Sequence, residues 1–334
     1  MPGERITQIV ATIGPASRDH APALWDAGAT TFRLNASHMR LENIAHQAAE
    51  IRRSLPDCPI VIDLQGAKMR LGDFQQRPVR AGDHVRFSVS DEGEAIPLPH
   101  REIFASVAPG ETLSCDDGRL RFRVTRSSTA ILEASALIDG TLRPRKGVNV
   151  VEHPILLADL SDFDQACVRE TAGFGSVGFA FSFMNDGREA AWLRRRAPAC
   201  TVIGKVERRE ATENIHAIGS HVDIIWICRG DLGAQLGEAA MAQWISRYEP
   251  RTERCAVLMA GQVLEHLTAH SVPTRSEVCH LFDLVERGYA GFVLSDETAI
   301  GEDPIGAVRT LRALLAGFRD SAMNYPGQHS RNQS

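Results

Sequence analysis

The chain has 334 residues, of which 43% are hydrophobic and 24% are charged, and its formal net charge is −5. This composition is typical of a globular protein. The net charge gives no reason to expect nucleic-acid binding, and the sequence shows no basic face with interleaved aromatic residues. The seven cysteines are scattered singly, which indicates neither a disulfide framework nor a zinc site. The sequence has no pattern typical of a signal peptide and no run of about 20 apolar residues, so we expect a cytoplasmic protein without a membrane partner.

Short continuous apolar runs recur along the chain, and each is followed by a loop and a helical pattern. A run of this kind is typical of a parallel strand that is buried on both faces. The predicted strands are residues 8–13, 31–37, 59–65, 176–182, 201–207, 223–229, 255–261 and 291–297. Helices are predicted between them, for example at residues 41–55 and 262–269. The repetition predicts an α/β fold, specifically a (β/α)8 TIM barrel.

Between the third and the fourth of these strands the pattern changes to an alternation of apolar and polar residues. It is clearest at residues 84–90 and 119–124. Because side chains of a strand alternate between its two faces, this pattern predicts half-buried antiparallel strands, and we expect a small β-barrel-like lid domain inserted after the third strand. The predicted domains are a barrel at residues 1–71 and 151–323, the lid at residues 72–150 and a flexible tail at residues 324–334.

Two of the predicted strands end in charged residues. Lys205 and Glu207 end one strand, and Arg229 and Asp231 end the next. In a parallel barrel the carboxyl ends of the strands meet at one mouth, where catalytic groups lie. A lysine and two carboxylates there indicate a divalent-metal site that handles an anion. Each residue alone is more often part of a structural ion pair, but the group of three on adjacent strands favours a functional site.

Seven segments, most of them at predicted strand ends, follow one another in a characteristic order. They are ATIGPASR (11–18), RLNASH (33–38), DLQGAKMRLG (63–72), KVE (205–207), RGDLG (229–233), PTRSEV (273–278) and LSDETAIG (294–301). The series resembles the pyruvate kinase family over most of the chain. The resemblance implies a glycolytic phosphotransferase that converts phosphoenolpyruvate and ADP to pyruvate and ATP with Mg²⁺.

The resemblance also implies roles for the charged strand ends. Glu207 and Asp231 match the ligands of Mg²⁺ or Mn²⁺, hard cations that prefer carboxylate oxygens and complete their coordination with substrate oxygens. Lys205 matches a catalytic lysine that contacts the transferring phosphoryl group and stabilises the enolate of pyruvate, and Arg33 matches an arginine that grips phosphate. The backbone at Gly230 and Asp231 matches the amides that bind the substrate carboxylate.

Further site residues follow from the same resemblance. Arg70 and His38 match groups on the nucleotide side of the site, where a guanidinium pairs well with phosphate. Ser182 lies at a strand end near the expected substrate, and Gly261 stands on the substrate face. The monovalent-cation pocket, or its replacement, corresponds to Asn35, Ser37, Asp63, Leu64 and Lys68.

Several positions depart from the family pattern. Leu64, Gln65 and Lys68 stand where potassium-dependent members have threonine, lysine and glutamate. Because the ammonium of Lys68 can supply the charge that K⁺ otherwise brings, we expect activity without K⁺. Gly261 lacks the hydroxyl of the threonine that neighbours the enolate in the family, and Phe163 replaces a lysine near the nucleotide phosphates. Both departures weaken the kinase assignment.

Two functions therefore stay open. The first is a pyruvate kinase-like phosphotransferase that uses phosphoenolpyruvate, ADP and Mg²⁺. The alternative is a metal-dependent lyase, decarboxylase or aldolase that acts on a pyruvate enolate or a phosphoenolpyruvate-derived substrate without a nucleotide. A scaffold or sensor is less favoured, because the charged cluster is intact. The family's C-terminal regulatory domain is absent from the chain, so we expect no allosteric control through it, and a homodimer is left open.

Overall fold

The computed structural model of the protein describes residues 8–90, 93–116 and 118–324. Contacts divide it into two compact units, one comprising the chain up to Leu64 and from Ser161 onward, the other comprising Gln65–Leu160. The limits predicted for the inserted domain, residues 72–150, stay a prediction. Of the predicted tail, residues 325–334 lie outside the described residues. Within the described ranges, no helix combines the length and the apolar character that crossing a bilayer requires.

Strands alternate with helices in the first unit and mostly follow one another in the second. In chain order the strands are β1 (Gln8–Thr12), β2 (Thr31–Asn35), β3 (Ile60–Leu64), β4 (Arg77–Val79), β5 (His84–Ser88), β6 (Ile96–Pro97), β7 (Thr112–Cys115), β8 (Leu120–Ser127), β9 (Ile131–Ala136), β10 (Gly140–Leu142), β11 (Val148–Val150), β12 (Val177–Phe181), β13 (Thr201–Val206), β14 (Ile224–Cys228), β15 (Ala256–Ala260) and β16 (Gly291–Leu294).

The α-helices surround the strands of the first unit, apart from one short helix in the second. In chain order they are α1 (Ala21–Ala27), α2 (Leu41–Ser54), α3 (Arg101–Ser106), α4 (Asp162–Thr171), α5 (Ala190–Arg196), α6 (Arg209–Glu213), α7 (Ile215–His221), α8 (Arg229–Leu236), α9 (Glu238–Arg247), α10 (Arg275–Arg287), α11 (Asp296–Ala299) and α12 (Pro304–Asn324). Short 3₁₀ helices lie at Ala172–Phe174, Pro250–Thr252 and Glu265–Thr268.

The described strands of the first unit form a closed barrel of eight, in the order β1-β16-β15-β14-β13-β12-β3-β2. All neighbouring pairs are parallel, and the barrel closes where β1 pairs with both β2 and β16. Each of the eight strands lies within one of the predicted apolar runs. The predicted TIM barrel is confirmed, because continuous apolar runs of this length are buried on both faces, between the barrel interior and the helices.

The interior of the barrel is filled by apolar side chains from alternate positions of the strands. The cluster contains Val10, Val61, Ala180, Ile203, Trp226, Leu258 and Val293, all buried. The lower barrel is therefore a packed core rather than a pore, as expected for eight strands. Asp63 and Lys205 lie next to the last residue of their strands, towards the carboxyl ends.

The helical predictions are less accurate after β15. Residues 262–269 do not form the predicted α-helix; a 3₁₀ helix occupies only Glu265–Thr268. The unpredicted helix α10 begins after Thr274, whose side chain accepts a hydrogen bond from the Glu277 amide while the Glu277 carboxylate bonds back to Thr274. This capping box fixes the start of α10 and is readable in the sequence as Thr-x-x-Glu.

The second unit is built on a sheet in the order β11-β7-β8-β9-β5-β6 and on the pair β10-β4. Its pairs are antiparallel except for β5 with β6. Alternate residues of β8 and β9 are buried, as the pattern predicts, and the core includes Phe87 and Phe122, whose rings meet edge to face at 5.4 Å between centroids. The predicted β lid-like unit after the third barrel strand is confirmed.

Candidate active site

Three site residues of the barrel stand two positions after an apolar residue of its interior. Because side chains of a strand alternate between faces, a residue two positions further on faces the same interior, one layer closer to the mouth. This relation holds for the pairs Val61 and Asp63 on β3, Ala180 and Ser182 after β12, and Ile203 and Lys205 on β13. The same alternation that packs the core therefore delivers the polar groups to the mouth.

Lys205 lies at the centre of this layer and is buried. Its Nζ lies 3.0 Å from Oδ1 of Asp63 and 3.0 Å from Oε1 of Glu207. It also donates a hydrogen bond of 2.9 Å to Oγ of Ser182. All four side chains are at least nine-tenths buried, so each charge is compensated by its neighbours rather than by water.

Arg33 joins the cluster from β2. Its Nε and Nη2 lie 2.7 Å and 2.6 Å from Oδ2 of Asp63. Its Nη1 donates to Oγ1 of Thr12, 3.1 Å away. Asp63 thus holds both predicted catalytic cations, Arg33 and Lys205, at the mouth.

The pKa values of the cluster follow from burial and pairing. Burial lowers the pKa of Lys205, but the carboxylates of Asp63 and Glu207 outweigh it, so the pKa lies above its usual value. Burial raises the pKa of Asp63, but Lys205 and Arg33 outweigh it, and the net pKa is lowered. Lys205 is therefore a fixed cation at neutral pH and Asp63 a fixed anion.

Glu207 differs from Asp63, because burial raises its pKa and the nearby charge of Asp231 adds to that rise, while Lys205 opposes it. The negative charge of Asp231 thus acts on the Glu207 carboxylate, and two neighbouring carboxylates are the ligands that a hard divalent cation prefers. Within the described ranges, no three His, Cys, Asp or Glu side chains come together as a metal cluster. Glu207 and Asp231 would therefore supply a minority of the ligands, which leaves coordination positions for substrate oxygens and water.

The predicted carboxylate-binding amides lie in the first turn of α8, which begins at Arg229, rather than before the helix. A Cβ placed on Gly261 would lie 3.5 Å from the Gly230 nitrogen, an ordinary contact distance, and a Cβ on Gly230 would meet no described atom within 4 Å. This part of the mouth is roomy. The φ of Gly261 is +82°, a conformation that L side chains rarely adopt, so a threonine at this position would be strained.

The loop after β15 is held by two side chains from neighbouring strand ends. Arg229 donates from Nε and Nη2 to the carbonyl oxygen of Gly261, at 2.9 Å and 2.7 Å, and from Nη2 to that of Gln262. The fully buried Glu297 accepts from the amide of Leu264 at 3.0 Å. These contacts explain why the loop forms in place of the predicted helix.

Ser182 has a role in the cluster that the prediction did not specify. Its Oγ donates 2.7 Å to the carbonyl oxygen of Leu64 and lies 3.2 Å from Oδ1 of Asp63. With its bond from Lys205, the hydroxyl connects β3, β12 and β13. The structure therefore places Ser182 beside Lys205, where it fixes the ammonium.

A cavity of about 810 Å³ opens beside the cluster. Arg33, Asn35 and His38 line it, together with Arg18 and Asp296. Asn35 also fixes the local backbone, because its Oδ1 accepts a hydrogen bond from the Ser37 amide at 3.1 Å. The predicted nucleotide-side residue His38 and the predicted cation-pocket residue Asn35 thus border the same space.

Two predicted residues belong to the second unit and are described within it. The amide of Arg70 donates to Nε2 of His100 at 2.9 Å, and its Nη1 donates to the carbonyl oxygen of Arg145 at 3.1 Å. Lys68 follows β3 along the chain, and its Cε lies 3.2 Å from a Cβ placed on Gly147. Their predicted roles stay predictions.

The sequence reading missed Arg208, which directly follows Glu207. Its side chain is buried, and its Nη1 meets no hydrogen-bond acceptor in the described part of the chain. Burial lowers its pKa, while Glu210, Glu189 and Glu207 oppose that shift. In the sequence Arg208 appears only as part of the pair Arg208-Arg209, and charged pairs of this kind are usually exposed to solvent.

The chain forms a closed parallel barrel, and buried opposite charges lie at the carboxyl ends of its strands. This arrangement is that of a TIM-barrel enzyme. The family model described as "Pyruvate kinase, barrel domain" matches residues 4–308. The chain belongs to the pyruvate kinase family.

Individual relatives agree with this assignment. The chain is 32% identical over 317 residues to the pyruvate kinase of Thermoplasma acidophilum, a match that covers 92% of this chain and 57% of that protein. It is 31% identical over 329 residues to a pyruvate kinase of Agrobacterium vitis, covering 93% and 69%. The crystal structure of pyruvate kinase from Pyrobaculum aerophilum shares the fold, with a TM-score of 0.77, 23% identity and coverage of 97% of this chain and 74% of that one. The chain thus spans just over half the length of the Thermoplasma protein.

Proposed function

We propose that the protein transfers a phosphoryl group from phosphoenolpyruvate to ADP with Mg²⁺ or Mn²⁺. The observation that carries the proposal is the position of Lys205 between Asp63 and Glu207, with Arg33 bound to the same Asp63 beside a cavity of about 810 Å³. A fixed ammonium and a guanidinium at one mouth suit a substrate that carries both phosphate and enolate charge.

In this proposal each side chain acts through charge and position. Lys205 keeps its proton, because its pKa is raised, and stabilises the phosphoryl oxygens and then the enolate that the transfer leaves behind. Arg33 grips phosphate, and the amides of Gly230 and Asp231 bind the substrate carboxylate. A divalent cation held by Glu207 and Asp231 would offset negative charge on the substrate oxygens.

The cavity beside Arg33 supports a nucleotide as the acceptor. Its volume is that of an ordinary ligand pocket, and Arg18, Arg33 and His38 offer donors to phosphate or base. Asp296 and Ile300 also line it, which weakens the attraction for phosphate on that side. The nucleotide-free lyase is therefore kept as an outcome of the test.

The test compares two reactions of the same purified protein. With phosphoenolpyruvate, ADP and Mg²⁺ we expect ATP formation at an ordinary kcat of about 1–10³ s⁻¹. With oxaloacetate and Mg²⁺ alone we expect no turnover. Turnover of oxaloacetate together with no ATP formation in the first reaction would favour the nucleotide-free lyase over the kinase. The variant Asp231→Asn should abolish whichever of the two activities depends on the metal.

We also propose that activity does not require K⁺. The support is chemical: Leu64 is buried and apolar, and both oxygens of Asp63 are engaged by Lys205 and Arg33, so neither residue offers a free ligand to a monovalent ion. The resemblance to the family further suggests the ammonium of Lys68 as the charge that replaces K⁺.

We expect the same kcat in tetramethylammonium and in potassium salts. The double replacement Leu64→Thr with Lys68→Glu should make turnover depend on K⁺, since it removes the ammonium and adds oxygen ligands. Steady-state assays in the two salts measure this. Loss of wild-type turnover without K⁺ would contradict the proposal.

We also propose a cytoplasmic location. All seven cysteines are free thiols and five are buried, which suits a reducing, cytoplasmic setting. A homodimer stays a prediction.

A further inference from the structure

Phe183 adopts an uncommon backbone conformation directly after β12. Its φ is +56°, in the left-handed region that glycine occupies readily and bulky residues rarely. Such a conformation is unfavourable for a bulky residue, and residues that adopt it cluster at functional sites. The neighbouring residues must therefore enforce it.

The residues on both sides of Phe183 are firmly held. The Oγ of Ser182 bonds to the Leu64 carbonyl oxygen and to Lys205. After Phe183, the Glu189 carboxylate accepts from the amides of Asn185 at 2.7 Å and Gly187 at 3.0 Å. These anchors fix the path of the chain and leave Phe183 to make the turn.

The turn aims the Phe183 amide at Glu207. The nitrogen donates to Oε2 of Glu207 at 2.8 Å, in a buried bond, while Oε1 lies 3.0 Å from Nζ of Lys205. The Phe183 amide and the Lys205 ammonium contact different oxygens of Glu207, so together they fix the plane of its carboxylate. Glu207 is 1% exposed, and its orientation is set by these contacts rather than by solvent.

We propose that the backbone amide of Phe183 is a positioning group that orients Glu207 to bind the divalent cation. The inference rests on the proposed role of Glu207 as a metal ligand. Groups that hydrogen-bond a ligating carboxylate restrict its orientation, and loss of one typically weakens metal binding by about 10–100-fold. The left-handed conformation of Phe183 is retained because it directs this amide.

The sharpest test replaces the Phe183 amide by an ester, through incorporation of phenyllactic acid, which removes the donor and keeps the side chain. We expect Mn²⁺ binding, measured by electron paramagnetic resonance of the free ion, to weaken by about 10-fold or more. The matched control is the glycolic-acid ester at Gly306, whose amide donates to Oδ1 of Asp303 at 2.8 Å in the first turn of α12 and is not among the anchors of the Phe183 turn; it should leave Mn²⁺ affinity unchanged. Equal affinities of the two esters would overturn the inference.

Phe183→Gly gives a second comparison, since it keeps the amide, removes the side chain and relieves the strain. We expect it to retain wild-type Mn²⁺ affinity. A loss as large as that of the Phe183 ester would assign the effect to the side chain and overturn the inference. If the ester does not fold, the amide signal of ¹⁵N-phenylalanine-labelled wild type decides: the Phe183 resonance should move on Mg²⁺ addition, and an unmoved resonance would overturn it.

Glu207→Gln separates this inference from the proposed function. If Glu207 binds the metal, this variant loses Mn²⁺ affinity whatever Phe183 does. Weakened binding in Glu207→Gln with an unaffected Phe183 ester would refute only the positioning role. Unchanged Mn²⁺ affinity in Glu207→Gln would refute the metal site itself.

Discussion

Replacing Lys205 by methionine is expected to lower kcat for phosphoryl transfer by about 10²–10³-fold, the usual effect of removing one charge-stabilising donor from an active site. Methionine keeps most of the length and apolar character of the lysine stem. The loss is then one of charge, because Nζ is the group that contacts Asp63, Glu207 and Ser182. KM for phosphoenolpyruvate should change less than kcat, since Arg33 and the α8 amides, the proposed substrate-binding groups, are unaltered in this variant.

The same replacement should lower the free energy of unfolding by about 3–5 kcal/mol, because it leaves buried carboxylates without their shared cation. Urea unfolding at neutral pH measures this. Lys146→Met is the matched control, since Lys146 is partly exposed in the second unit and pairs there with Asp116. A Lys205→Met variant with wild-type kcat would remove Lys205 from the proposed chemistry.

The second large effect is expected from Asp63→Asn. Asparagine preserves the shape of the side chain, but it removes the negative charge that the buried Lys205 and the mostly buried Arg33 share. We expect the free energy of unfolding to fall by about 3–5 kcal/mol at pH 7. Turnover should fall as well, because repulsion moves both cations from their positions.

The effect of Asp63→Asn has a defined pH dependence. The pKa of Asp63 is lowered on folding, below the value of about 3.9 of an unfolded aspartate. Its stabilisation is therefore fully present above about pH 4 and is lost as pH falls through the folded pKa. The stability difference between wild type and Asp63→Asn should be constant from pH 7 to about 5 and shrink below about pH 4.

Urea unfolding across this range is the measurement. Asp223→Asn is a suitable control, because Asp223 also pairs with an arginine, Arg194 at 3.0 Å, but is 45% exposed. An exposed pair of this kind contributes about 0–1 kcal/mol. Equal destabilisation by the two aspartate replacements would show that the buried network does not stabilise the fold as argued.

The barrel was predictable because its signal is local. A continuous apolar run indicates a strand that is buried on both faces, and all eight barrel strands lie within such runs. The charged strand ends were predictable for the same reason, since the topology brings strand ends together. What topology does not specify is which atoms meet, and the bonds of Asp63 to Arg33 and Lys205 join residues far apart in the chain.

Two failures have identifiable physical causes. The helix expected at residues 262–269 is prevented by contacts from Arg229 and Glu297, which lie on other strand ends and are invisible to a local pattern. The left-handed turn at Phe183 was missed because sequence rules assign such turns to glycine or asparagine. Helix α10, by contrast, begins with a capping box at Thr274 that is visible in the sequence as Thr-x-x-Glu.

The closure of the barrel has a consequence for biosynthesis. Thr12 on the first strand and Thr298 after the last exchange hydrogen bonds of 2.9 Å and 3.0 Å, and Thr12 is also the partner of Arg33. These residues are 286 positions apart, so the contact cannot form until residue 298 has left the ribosome. Arg33, whose Nη1 donates to Thr12, is therefore held in its final position only after the last barrel strand has docked. Such long-range closure slows folding.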